Sequence, residues 1–282
     1  MFPRNTKTVG LAVERHIHGR GGVTGGAGLS CYDYVIDDDW TGPAGFVFTT
    51  STGHDVRVYS TIAGAFGHAD GLAAISRTAF LICGGAYNEA LTANPGHTNS
   101  WDIHGMGQST IWAAIANSQT LWTIGGGDDV VRVRIRDIRF DLGTFTGCTV
   151  LGYGVGSTTD VEACDFVTGG STTSTGIALR SLARLGVHDC KFSGSGNGLK
   201  DSVGAGGNVY IDSSQFTCAI GIDVPTIVAG SAIRIGGESK FSCTTNDILV
   251  SGDGVSLSIA NCDFQKGIAT SGATIHNFQA VN

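Results

Sequence analysis

The chain has 282 residues, enough for one large or two ordinary domains with a sizeable core. Apolar residues make up 41% and charged residues 15%, with 44 Gly and 4 Pro; this excludes a disordered or collagen-like chain and favours β-structure with many tight turns. Lys and Arg number 17 against 24 Asp and Glu, a net charge of −7 that argues against a nucleic-acid partner, and no apolar run approaches the ~20 residues of a membrane span.

The opening MFPRNTKTVGLAVERHIHG has early cations but neither an apolar stretch nor a small-residue cleavage site. It does not read as a secretory signal, so folding in a cytoplasm is expected. His16 and His18 form an HxH pair whose rings face one side if the segment is a strand. Two ligands are too few for a metal site in one chain, and only three convergent chains would supply six imidazoles; a surface or interface pair is the plainer reading. Residues 1–54 lack the period found downstream and carry GRGGVTGGAG, the acidic turn Asp37, Asp38 and Asp39, and the aromatics Tyr32, Tyr34 and Trp40. They are expected to form an N-terminal arm or cap, used for assembly or packed on the chain's own helix.

Trp101, Trp112 and Trp122 read first as core or interface residues, with Trp112 also a candidate sugar platform, since aromatic faces stack on pyranose rings. Asp128 and Asp129 follow Gly125, Gly126 and Gly127, as in a turn. The GxG patterns near Gly125 and Gly152 open no predicted helix, so no dinucleotide site follows and no cofactor is expected.

From there a repeat of about 25 residues organises the chain. IRDIRF ends at Phe140, VEACDF at Phe166, VHDCKF at Phe192, IDSSQF at Phe216, GGESKF at Phe241 and IANCDF at Phe264, with successive spacings of 26, 26, 24, 25 and 23 residues. Apolar residues two apart precede each break, as in Val133 and Ile135, Leu185 and Val187, Val209 and Ile211, and Leu257 and Ile259, which is the period of a strand. Asp137, Asp189 and Asn261 occupy the second break position, where Asp and Asn tolerate a left-handed backbone. A short second strand then points Ile138, Cys164, Cys190, Ser214, Ser239 and Cys262 inward with the Phe side chains, and Arg139, Asp165, Lys191, Gln215, Lys240 and Asp263 outward. Ile233 and Ile235 lie one residue too far upstream, which predicts a bulge at Gly236 and Gly237. A third extended stretch follows in TVLGYGV, TGIALRS, IGIDVPT, NDILVSG and KGIATSG.

Strands this short bury their faces only by stacking on equivalents in neighbouring repeats. The expected fold class is all-β, a single-stranded right-handed parallel β-helix of about eight or nine coils over residues 55–282. The eight cysteines lack paired CxxC spacing and are expected as thiols, most of them stacked inside the coils, although adjacent coils lie close enough for a disulfide.

The VHDCKF motif, an apolar residue, a polar turn and then Cys-x-Phe, resembles the repeat of the pectin-lyase-like superfamily. That superfamily includes polysaccharide lyases, hydrolases, esterases and epimerases, and phage tailspikes. The stretch TIAGAFGHADGLAAI, AFLICGGAYNEALT and WDIHGMGQSTIW looks like the start of such a helix: a small capping helix, a strand and an early coil, with Leu72, Ala73, Ala74 and Ile75 supplying the apolar cap.

Lyases of that superfamily need carboxylates clustered round calcium, and no such cluster is visible on outward positions. Hydrolases need two carboxylates at a set separation. The column four residues before each Phe holds Arg136, Glu162, His188 and Asp212. Glu162 and Asp212, two coils apart, are the candidate acid and base of an inverting hydrolase, with His188 between them. The same three, with Trp112, are the candidate glycan-binding residues. Alternating charge in stacked strands accounts for the column equally well. The sequence therefore reads as a virion structural or attachment protein, a phage tailspike, head decoration or knob. It is expected to be a homotrimer that meets other virion proteins through its N-terminal segment and binds a host surface polysaccharide. The alternative is a polysaccharide lyase or inverting hydrolase on the same scaffold.

Overall fold

A computed structural model describes residues 31–50, 52–71, 77–91, 100–125, 132–153, 157–179, 184–201, 207–224, 232–251, 255–270 and 275–281. His16, His18, Leu72, Ala73, Ala74, Ile75, Asp128 and Asp129 lie outside those residues. The fold is a right-handed parallel β-helix of about eight coils, with one helix among the described residues.

One coil shows the plan. Thr158–Glu162 is followed by a sharp turn, the short strand Asp165–Val167, a second turn and the strand Thr175–Leu179. Each strand pairs in parallel with its equivalent in the coils on either side: Val161 with Ile135 and Val187, Phe166 with Phe140 and Phe192, and Ile177 with Leu151 and Leu199. First and second strands form an 18-stranded sheet, and third strands a seven-stranded one. The third strands include Thr120–Ile124 and Asn197–Asp201 beside the five predicted from the sequence.

The turn between first and second strand is one device repeated six times. Asp137, Ala163, Asp189, Ser213, Glu238 and Asn261, each three residues before its Phe, have φ between 50° and 62°. This conformation re-aims the chain within two residues, and Asp and Asn enter it at lower cost than most L-residues. At the fifth copy Gly237 is also left-handed, at φ 62°, which absorbs the predicted extra residue while Asp212 still pairs with Gly236.

Inside, the six Phe rings form one stack with neighbouring centroids 4.5 to 5.1 Å apart. Against it lies a column of glycines. A Cβ on Gly198 would stand 2.8 Å from the Phe216 ring and 2.6 Å from the Gly221 carbonyl oxygen, and Gly176 and Gly221 repeat the contact with Phe192 and Phe241. The polar residues of the second-strand interior column are satisfied internally. Ser214 Oγ accepts from the Cys190 amide and donates to the Asp212 carbonyl, and Ser239 Oγ accepts from the Ser214 amide. All eight cysteines are free thiols; Cys83, Cys148, Cys164, Cys190, Cys218 and Cys243 are buried. Burial pushes the Cys190 thiol up to about 12.

The helix Ile62–Asp70 closes one end of this core. Thr61 Oγ1 accepts from the Gly64 amide, and the Glu89 carboxylate accepts from the Ile62 and Ala63 amides at 2.8 Å each, so a negative charge sits at the positive end of the helix. Its buried face is Ile62, Ala65, Phe66 and Ala69, with Phe66 against Phe80, Trp101 and Trp122. Among the described residues this helix forms the cap; the Leu72–Ile75 segment expected to supply it lies outside them. Upstream, Tyr34–Ile36 is sandwiched in parallel between Arg57–Tyr59 and Phe80–Ile82, and Phe46–Thr49 pairs antiparallel to Asp55–Tyr59. Residues on both sides of position 54 thus share one sheet.

Candidate functional site

Strand alternation turns three parallel columns of the large sheet outward. Their register is fixed by the pairings of the first strands. One column runs Ser100, Arg132, Thr158, Arg184, Asn208; the next Asp102, Arg134, Asp160, Gly186, Tyr210, Arg234; the third His104, Arg136, Glu162, His188, Asp212. A groove of about 450 Å³ opens over the first two, lined by the side chains of Arg77, Arg132, Arg134, Arg184, Asp102 and Asp160 with the hydroxyls of Ser100 and Thr158. Four cations against two acids make it locally positive on a chain of net charge −7.

Several carboxylates here are already engaged. Asp102, nearly buried, is paired with Arg77 and lies 3.4 Å from Arg136 Nη2. Glu162 is paired with Arg134. The Arg134 hydrogen bond, with the charges of Arg134, Arg136 and His188, holds the Glu162 carboxyl below the usual carboxylate range. Asp160 and His188 lean over the bare backbone of Gly186, where a Cβ would stand 2.4 Å from Asp160 Oδ1 and 2.9 Å from His188 Nε2. Two coils of cation–π contact follow, with the Arg184 and Arg234 guanidinium groups 5.3 and 5.5 Å from the centre of the Tyr210 ring.

At the end nearer the helix, the turn after His104 is enlarged. His104 pairs with Arg136 and Trp112 with Phe140, so seven residues stand where three do in the next coil, and Gly107 takes φ 67°. Thr110 Oγ1 pins this loop from inside by accepting from the Met106 amide at 2.7 Å, and Gln108 reaches Asp165. His104 Nε2 is 2.8 Å from Asp137 Oδ2 and Nδ1 is 2.6 Å from the Tyr32 hydroxyl. A carboxylate only accepts, so Nε2–H donates to Asp137, and in the neutral imidazole Nδ1 then accepts from the Tyr32 hydroxyl. Burial raises the Tyr32 phenol to about 12.

The structure places Arg136, Glu162, His188 and Asp212 in one column on consecutive coils, as the spacing predicts. The two acids answer to different neighbours, however. Glu162 turns to Arg134, whereas Asp212 turns toward the following turn, where a Cβ on Gly237 would stand 1.7 Å from its Oδ1. Trp112 is not a sugar platform. It is 1% exposed, packs on Phe140 and Trp122, and donates its indole N–H to the Glu89 carbonyl. The sequence reading missed the groove itself: Arg132 and Arg134 stand outward in VRVRIR, and Arg77 and Arg184 recur at the same position of other coils. Among the described residues no group of three or more His, Cys, Asp or Glu side chains is placed to hold a metal ion.

No family model matches the chain, and no curated protein does. Among solved structures it is similar to a pectin methylesterase, crystallised as a variant in complex with a hexasaccharide, with a TM-score of 0.52 and 12% identity over 89% of this chain and 93% of that one. At that identity the likeness is one of fold, a parallel β-helix. A weaker likeness, TM-score 0.41 and 12% identity over 72% of this chain and 54% of the other, is to the ORF18 protein of Geobacillus virus E2.

Proposed function

We propose that this β-helix is a virion structural or attachment protein that holds a host surface glycan on its outward three-column face without cleaving it. The observation that carries the reading is the groove itself: four arginines and two hydroxyls line it, while Asp102 and Glu162 are taken up by ion pairs. A general acid for glycoside hydrolysis needs a raised pKa, and Arg134 moves Glu162 the other way. A stacked rod with six buried free thiols suits assembly in a reducing cytoplasm and service on a particle released by lysis. In this reading the protein acts as a homotrimer and meets other virion proteins through its N-terminal segment.

Incubating the purified protein with intact host capsule or surface polysaccharide tests the proposal. Retention of the polymer with unchanged size is expected. Shortened chains or unsaturated ends that disappear in a Glu162→Gln, Asp212→Asn double variant would establish the enzyme reading instead. Immunogold labelling of purified particles checks the location, and labelling confined to unassembled protein would count against it.

Hydrolysis is the second reading, and the Tyr32, His104 and Asp137 chain favours it, because an imidazole oriented by a carboxylate is the arrangement of a general base. Cleavage lost in His104→Ala but kept in the Glu162 and Asp212 variant would place the chemistry there.

A further inference from the structure

Charge alternates along the groove with a period of two coils. The coil of Ser100 presents Asp102, the next presents Arg132 and Arg134, the next Thr158 and Asp160, and the next Arg184 beside Gly186. Arg77 stands directly before Thr78, which pairs with Trp101, so it continues the cation column two coils before Arg132. Parallel strands lie ~4.8 Å apart, so cations recur about every 9.6 Å along the axis.

Alternation of this kind would follow from strand stacking alone if the arginines and aspartates paired with each other across adjacent coils. In the middle of the groove they do not. Arg134 bonds Glu162 in the neighbouring column, Asp160 leans over Gly186, and among the described residues no carboxylate pairs with Arg132 or Arg184. Arg184 is braced instead on the Tyr210 ring, which holds its guanidinium in place without neutralising it. Two guanidinium groups two coils apart that no carboxylate among the described residues neutralises, separated by a hydroxyl and an acceptor carboxylate, are matched to an outside ligand.

We infer that the groove takes a linear acidic heteroglycan lying along the solenoid axis, with one anionic sugar for every neutral one. An extended pyranose chain advances per sugar by close to one inter-strand spacing, so alternate sugars meet alternate coils. Anionic groups then fall on Arg132 and Arg184, and the hydroxyls of the neutral sugar between them donate to Thr158 and Asp160. A polymer charged on every sugar sets a charge against Asp160. The inference rests on the glycan-binding reading and adds the charge pattern of the glycan.

Calorimetric titration with size-matched oligosaccharides of hyaluronan (one carboxylate per disaccharide), polygalacturonate (one per sugar) and dextran (none) tests it. Hyaluronan is expected to bind about tenfold more tightly than polygalacturonate and to weaken with salt, with no dextran binding. Arg132→Gln and Arg184→Gln should each weaken hyaluronan binding about tenfold with unchanged melting temperature, and Asp160→Asn should narrow the preference over polygalacturonate. Polygalacturonate binding as tightly as hyaluronan, or hyaluronan binding indifferent to both arginine variants, would overturn the inference. Host polysaccharide retained equally by wild type and arginine variants leaves glycan attachment standing and removes this inference alone; no retention of any polymer removes both.

Discussion

Phe192 and Phe216 lie face to face with parallel planes, centroids 4.6 Å apart, although 24 residues separate them in the chain. The contact repeats along the stack, so each ring is a shared wall between two coils. Lys191, immediately before Phe192, points to solvent on the other side of the same short strand. Phe192→Ala is expected to cost about 3–5 kcal/mol, the range for an aromatic truncation that leaves a cavity. Lys191→Ala should cost under about 1 kcal/mol. Equal effects in denaturant melts would contradict the alternation.

Gly198 is the partner of that stack on the opposite wall. An alanine there meets both the Phe216 ring and the Gly221 carbonyl, and the carbonyl belongs to a paired strand that has little room to shift. Gly198→Ala is expected to destabilise by about 1–3 kcal/mol. Gly170→Ala, with open space around it, is the control; similar losses in both would show that the close approach carries no cost.

The repeat was readable because each coil reuses the same geometry. The Phe spacing, the inward Cys or Ser and the Asp or Asn at the turn each report one position of a strand or bend; the turn residues reappear at their predicted places, and the Phe and inward side chains are buried in the first five copies and partly buried at Cys262 and Phe264 in the sixth. The Gly176, Gly198 and Gly221 column was equally present in the sequence, as TGI, NGL and IGI, but a glycine in a strand reports a close approach only when its neighbour is known. The site was less legible. Spacing identified which residues share the Glu162 column, yet the partner each acid chooses depends on side-chain direction: Arg134 reaches across to the neighbouring column, and Asp212 turns toward Gly237. Trp112 is the core residue it first read as; its second candidacy as a sugar platform fails on burial, which strand counting does not reach past the enlarged turn at Gly105–Thr110, where the in-and-out alternation shifts.

Ala163 is the turn residue least suited to its conformation, a side chain of no hydrogen-bonding capacity at φ 52°. Left-handed backbone costs an L-residue about 1–2 kcal/mol, and glycine gives back about 0.5–1 in lost chain entropy. Ala163→Gly should therefore stabilise the protein by up to about 1 kcal/mol. Thermal melts showing a lower midpoint would mean that the strain is relieved elsewhere in the coil.

Thiol accessibility follows the same in-and-out logic. Cys31 is exposed, whereas Cys164 and Cys190 are buried and their thiols are raised by loss of solvation. Brief iodoacetamide treatment at pH 8 is expected to label Cys31 first and to leave Cys164 and Cys190 unmodified until denaturant is added. Peptide mapping that finds Cys190 alkylated in the folded protein would place it outside the core.

Glu162 gives a pH signature that separates an ion-pair partner from a catalytic acid. Its carboxyl lies below the ordinary range because Arg134 stabilises the charged form, with burial opposing only in part. A group whose folded pKa is depressed contributes stability above its unfolded pKa, near 4.3, and loses that contribution as pH falls through the folded value. Both side chains of the pair are more than a third exposed, so the contribution is screened and stays under about 1 kcal/mol. At pH 7 the Glu162→Gln variant should melt slightly below wild type, with the gap closing below about pH 4 and shrinking in high salt. A carboxyl poised to protonate a glycosidic oxygen behaves oppositely, staying protonated well above the ordinary range. Carbon-detected NMR titration of the Glu162 side chain decides between them, and a midpoint above the ordinary glutamate value would remove the Arg134 ion pair as its governing neighbour and restore the acid role that its place in the column first suggested.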